Sequence, residues 1–133
     1  MTEAGESPRG ELQLRTLAMP ADTNPSGDIF GGWLLSQMDI AGSLSARVIA
    51  HGRTATVAVD SMTFHLPVFV GDAVCCYVEV EKVGRTSITT LVQAWAMRGG
   101  DGIRVKVTEG RFIYVAIGPD RKPRPIDPET RMA

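Results

Sequence analysis

Long apolar runs are missing from this 133-residue chain, and with them the roughly 20 consecutive apolar residues that a membrane-spanning helix needs. The opening stretch, Met1 to Gly10, is polar and contains Pro8, so it lacks the apolar core of a secretory signal. Charge of one sign is equally scarce. Fourteen Lys and Arg against fifteen Asp and Glu leave a net charge of −1, which argues against nucleic-acid binding driven by bulk charge and makes any anion site a local cluster. Only two cysteines occur, Cys75 and Cys76, and adjacent strand residues point to opposite faces, so no bridge joins them. Two reduced, buried thiols and no leader give the expectation of a cytoplasmic protein without membrane insertion. Catalytic signatures are absent too. There is no Gly-x-Ser-x-Gly elbow, so the α/β-hydrolase route is excluded. His51 and His65 have no zinc-site spacing, and Gly27–Gly32 lacks the Gly-Lys-Ser/Thr of a phosphate loop.

What is present reads as one domain. Apolar residues make up 44% and charged residues 22%, the balance of a globular chain of this length. Composition marks 1–10 as a tail and 118–133, with Gly118, Pro119, Pro123, Pro125 and Pro128, as a Pro-rich second tail, leaving 11–117 as the folded domain. Turn chemistry fills Ala21–Gly32. One helix is predicted from about Gly32 to Ala50, carried by Leu34, Leu35, Met38, Ala41, Leu44, Ala46 and Val48 and stopped by Gly52. The rest is strand-like: Glu11–Ala18, Thr54–His65, Asp72–Val83, Thr86–Met97 and Ile103–Ile117, with Gly84-Arg85 and Gly99–Gly102 as hairpin turns. A single helix with a meander of antiparallel strands is an α+β domain. Its edge strands need partners, so self-association is expected.

Three places could carry chemistry. Gly31-Gly32 opens the helix, where unpaired N–H groups suit an anion or a developing oxyanion; equally, the pair could serve only close packing. Asp39 is an acid amid Met38 and Ile40 in the most apolar helix, either on a solvated face or facing a cavity as general base or nucleophile. Asn24 precedes Pro25 and reads either as a turn residue or as an amide that positions a water or carbonyl. Arg85, Thr86 and Ser87 at the hairpin tip could cradle phosphate oxygens or simply be solvated.

These residues resemble a known family. Leu14–Asn24, Gly27-Asp28-Ile29-Phe30-Gly31-Gly32-Trp33 and Ser36-Gln37-Met38-Asp39, with Ala50–Arg53, Thr56–Asp60, Val70–Asp72 and Lys82–Ser87, are similar to the YciA-type acyl-CoA thioesterases of the hotdog superfamily. The likeness runs from about Leu14 to Ile117. It implies a long central helix wrapped by an antiparallel β-sheet and hydrolysis of acyl-CoA to a carboxylic acid and CoA. The implied site is shared between subunits, with Asn24 of one chain and Asp39 of another acting together and Gly31 and Gly32 polarising the carbonyl. By the same resemblance, Arg85, Thr86 and Ser87 contact the nucleotide end of coenzyme A, and Val57, Ala58 and Val59 lie along its pantetheine. No metal or cofactor is implied beyond coenzyme A as part of substrate and product. The implied assembly is a hexamer built as a trimer of dimers. A non-catalytic CoA-ester binding protein is the alternative reading, and the short C-terminal tail is a departure that leaves acyl-chain preference open.

Overall fold

A computed structural model describes residues 6–132. Five strands form one antiparallel sheet: β1 (Glu11–Leu17), β2 (Thr54–Phe64), β3 (Ala73–Val83), β4 (Ser87–Met97) and β5 (Arg104–Ala116), in the order β1-β3-β4-β5-β2. The long helix α1 (Gly31–Ala50) lies across one face. A one-turn 3-10 helix (Pro20–Asp22) precedes it, and a short helix α2 (Pro128–Met132) closes the described chain. This is the α+β arrangement expected from the sequence.

Alternation on β3 and β4 is what fastens the helix. Val74, Cys76, Val78 on β3 and Ile88, Val92, Ala94, Ala96 on β4 are buried in the cluster that also contains Leu34, Met38, Ala41 and Ala46 of α1. Beyond Leu34 and Met38 the buried face of the helix is made of small residues (Ala41, Gly42, Ala46, Ala50), which lets that half lie close to the sheet. Cys75, Tyr77 and Trp95 form a second cluster, so the two adjacent cysteines are both buried, unbridged and in separate clusters. Burial, with Cys75 beside it, pushes the Cys76 thiol up to about 12.

Of the two expected tails, residues 1–5 and 133 lie outside the described residues, and the described parts make specific contacts with the sheet. Before β1, Glu6 pairs with Lys106 at 2.7 Å, and the Arg9 backbone N–H donates to Gln93 Oε1 at 2.9 Å. After β5, Arg124 N–H donates to Ala116 O and Ile126 N–H to Arg85 O, burying Ile126. Proline forbids a strand there but not the single turn of α2, because Pro128 occupies a first-turn position where its missing N–H is not needed.

Helix α1 ends at Ala50, as expected, but its left-handed cap falls on the residue before the glycine expected to stop it. His51 takes the left-handed conformation at φ 54°, its N–H donating to Val48 O while Gly52 N–H donates to Arg47 O. Among the described residues no helix is long and apolar enough to cross a membrane.

Candidate active site

The middle of α1 turns Asp39 toward β2 and β5. Thr56 Oγ1 of β2 donates to Asp39 Oδ1 at 2.8 Å, and the Tyr114 hydroxyl of β5 lies 3.0 Å from the same oxygen. The Tyr114 hydroxyl is also 3.0 Å from the backbone carbonyl oxygen of Asp39. Thr56 and Tyr114 are cross-strand partners in the β2–β5 register, which explains why both reach one carboxylate oxygen. The second oxygen, Oδ2, has no hydrogen-bond partner among the described residues. One oxygen is therefore anchored and the other is available to accept a proton.

Tyr114 is fully buried. Burial first, then the Asp39 charge and its hydrogen bond, hold the phenol far above its ordinary range. It stays protonated near neutrality and acts on the carboxylate only as a donor. Room for it is made by Gly42, three residues beyond Asp39 and on the same side of α1. A Cβ at Gly42 would sit 2.2 Å from the Tyr114 oxygen, closer than any side-chain carbon can stand.

The start of α1 has a different construction. Phe30 is its N-cap and supplies no side-chain hydrogen bond, and the first turn carries no acid. Leu34 N–H is bonded to Phe30 O at 3.3 Å; the N–H groups of the first turn before it have no place in the intrahelical ladder. An added Cβ at Gly32 would meet nothing within 4 Å, and one at Gly31 would only touch the Phe64 ring at 3.6 Å. Within one chain, tight packing is thus not what calls for this glycine pair.

Asn24 is a turn residue, as one of its two readings held. Its Oδ1 accepts from Ser26 N–H at 2.9 Å and Asp28 N–H at 3.2 Å, and its backbone N–H donates to Asp28 O at 2.7 Å. Those bonds fix the carboxamide through its oxygen and leave the amide NH2 without a partner among the described residues. Asn24 lines a cleft of about 370 Å³ with Asp28, Gly31, Leu34, Phe64 and His65.

Within one chain Asn24 and Asp39 share no hydrogen bond among the described residues. Gly31, beside Asn24, is eight residues before Asp39, about 12 Å along the axis at the helical rise. Val57, Ala58 and Val59 are exposed on β2, an outer strand of the sheet. A bulge between Thr56 and Ala58 interrupts their register. At the hairpin tip the backbone oxygens of Arg85, Thr86 and Ser87 accept from Ile126, Ala116 and Gly84, and the Arg85 side chain is exposed.

Sequence reasoning missed Thr56, Tyr114 and Gly42 as site residues. Only Gly42 left a signal, as an isolated glycine inside an apolar helix, which costs helix stability unless something packs there.

The family model for the thioesterase superfamily matches residues 26–103. The acyl-CoA thioester hydrolase YciA of Salmonella typhimurium is 57% identical over 129 residues, 95% of this chain and 97% of that protein. A hexameric thioesterase from Yersinia pestis superimposes with a TM-score of 0.87 at 55% identity, covering 91% of this chain and 98% of the other. A hexameric hotdog-fold thioesterase of Campylobacter jejuni does so at 0.86 and 43% identity, covering 92% and 95%. The chain belongs to the thioesterase superfamily, with the hotdog fold, in the branch that contains the YciA acyl-CoA thioester hydrolases.

Proposed function

We propose that this protein is an acyl-CoA hydrolase in which Asp39 activates water against the thioester carbonyl. The observation that carries the mechanism is the Asp39 carboxylate, anchored through Oδ1 by Thr56 and Tyr114 with Oδ2 unpartnered among the described residues. The relatives named acyl-CoA thioester hydrolases support the substrate class.

In the proposed reaction a water gives a proton to Asp39 Oδ2 as its oxygen bonds to the carbonyl carbon. The carbonyl oxygen becomes an oxyanion, stabilised by N–H groups at the Gly31-Gly32 helix start. When the C–S bond breaks, the proton held by Asp39 passes to the CoA thiolate. No metal or further cofactor takes part. The Asn24 amide NH2 donates to the carbonyl or orients the water. Asn24 and Gly31 line one cleft, while Asp39 is about 12 Å further along α1, so the complete site takes Asn24 and the helix start from one chain and Asp39 from a second. Hexamers among the relatives suit a shared site, and we extend that assembly, as a trimer of dimers, to this protein.

Thiol release from a panel of acyl-CoA esters tests the reading. Turnover is expected from the unaltered protein, with Asp39→Asn reducing kcat about 100-fold or more while the fold persists. Saturable CoA-ester binding without turnover would instead establish a non-catalytic binding protein.

A further inference from the structure

We propose that Arg98, the residue that follows β4, is a positioning residue for the thioester reaction. It fastens the loop between β2 and β3, and that loop in turn holds the Asn24 turn and the start of α1 in place. The proposal rests on the acyl-CoA reading above and adds to it a side chain that shares no hydrogen bond with Asn24 or Asp39 among the described residues.

Three contacts converge on the Arg98 guanidinium. Nε donates to Asp72 Oδ2 at 3.0 Å, Nη2 donates to the Pro67 carbonyl oxygen, and Cζ lies 4.7 Å from the centroid of the Phe69 ring. All three partners belong to the one loop, residues 67–72. Asp72 is buried, so its carboxylate needs a paired cation, and the same Oδ2 also accepts Phe69 N–H at 2.9 Å. A planar cation with several donors that stacks on a ring is what arginine supplies and lysine does not. Apolar packing does little to fix this loop. Of residues 67–72 only Val68 belongs to the core cluster, while Phe69 and Val70 are exposed.

The loop grips the Asn24 segment at both ends. Before the turn, Ala18 N–H donates to Asp72 O and Gly71 N–H donates to Ala18 O, each at 2.9 Å. After the turn, Ile29 N–H donates to Val68 O at 3.0 Å. Between these grips Thr23 and Ile29 form an isolated bridge, and Phe30 N–H donates to Asp22 O at 2.9 Å. Phe30 is the N-cap of α1, so the same bonds set where the first N–H groups of the helix point. Pro67 and Val68 also line the cleft that contains Asn24 and Gly31. Arg98 thus ties the proposed carbonyl-binding half of the site to the end of β4. Asp39, the other half, is held independently by Thr56 and Tyr114. Displacing a reacting or polarising group by about 1 Å costs up to about 100-fold in rate, so a slack loop would be felt in the chemistry.

The test uses Arg98→Ala and Arg98→Lys, the second keeping a cation beside Asp72 should the first not fold. Arg98→Ala is expected to lower kcat for an acyl-CoA about tenfold, and Arg98→Lys by less, with KM within about twofold. In a Tyr114→Phe background, which disturbs only the Asp39 half, the same factor is expected again. In an Asn24→Ala background the Arg98 change is expected to add no further loss, because the group it positions is gone. A merely structural role would give equal losses in both backgrounds. Asn24 is the only asparagine of the chain, so isotope labelling of asparagine gives a single side-chain NH2 pair. Its NMR signals are expected to shift in both Arg98 variants and to stay in place in Tyr114→Phe. Unmoved Asn24 signals, or equal losses in the two backgrounds, overturn the proposal. Should the unaltered protein hydrolyse no acyl-CoA, the hydrolase reading fails, and the Asn24 signals still decide whether Arg98 positions that side chain.

Discussion

At the scale of single residues, the account turns on how one carboxylate is held. Asp39 Oδ1 receives Thr56 and Tyr114, and losing either donor lets the carboxylate rotate away from its working angle. Tyr114→Phe keeps the ring and its packing and removes only the hydroxyl. It is expected to lower kcat roughly 10-fold to 100-fold with little change in KM, as misplacement of a catalytic group does. Combined with Asp39→Ala it should add nothing further, and steady-state kinetics of the two single variants and the double variant check both points. Gly42→Ala poses a contest of magnitudes. Alanine favours a helix interior by about 1 kcal/mol over glycine, whereas forcing a methyl group into packed space costs about 1–3 kcal/mol. With only 2.2 Å between the added Cβ and the Tyr114 oxygen, overpacking wins. Lower stability in urea and lower kcat are both expected, and a stabilised, fully active Gly42→Ala protein would refute the packing argument.

At the scale of elements, the buried groups of β3 and β5 set how stability depends on alkali. Burial raises Cys76 from 9.0 to about 12 and raises Tyr114 above its ordinary 10.0. Both are neutral when protonated, so the unfolded chain sheds these protons at lower pH than the folded one. Their contribution is complete below pH 9.0 and declines as pH rises through the folded values. Urea midpoints measured from about pH 8 to about pH 11 should fall, and fall less in Cys76→Ala and Tyr114→Phe than in the unaltered protein, each compared with its own midpoint at about pH 8.

The elements themselves were largely legible from sequence. Val74, Cys76, Val78 and Val80 alternate with polar neighbours, and a two-residue period has no competing explanation. Three features were not legible, each for a reason. The stop of α1 fell on His51, because a left-handed cap is a backbone choice that non-glycine residues can make. The bulge in β2 shifts register without any residue that announces it. Tyr114 serves Asp39 from 75 positions away, a relation created by the packing of α1 on β5 and invisible to any local window. Asp39 itself could be suspected because an acid in an apolar helix is costly, yet the resemblance to a family, rather than physics, raised it above a solvated surface residue.

At the scale of the whole molecule, the sheet has two outer strands, β1 and β2. β2 exposes Val57 at 56% and Val59 at 43%, an apolar edge of the kind that pairs with another chain. Light scattering is expected to give six times the 14.3 kDa chain mass, and a monomer that retains full activity would contradict a shared site.

If Asn24 of one chain works with Asp39 of another, mixing two inactive variants restores activity. Asn24→Ala and Asp39→Ala are each expected to be nearly inactive. Unfolded together and refolded, random pairing places both changes in one site of each mixed pair and leaves the other site intact, so about a quarter of the unaltered activity should return. A mixture no more active than its two components would contradict the account.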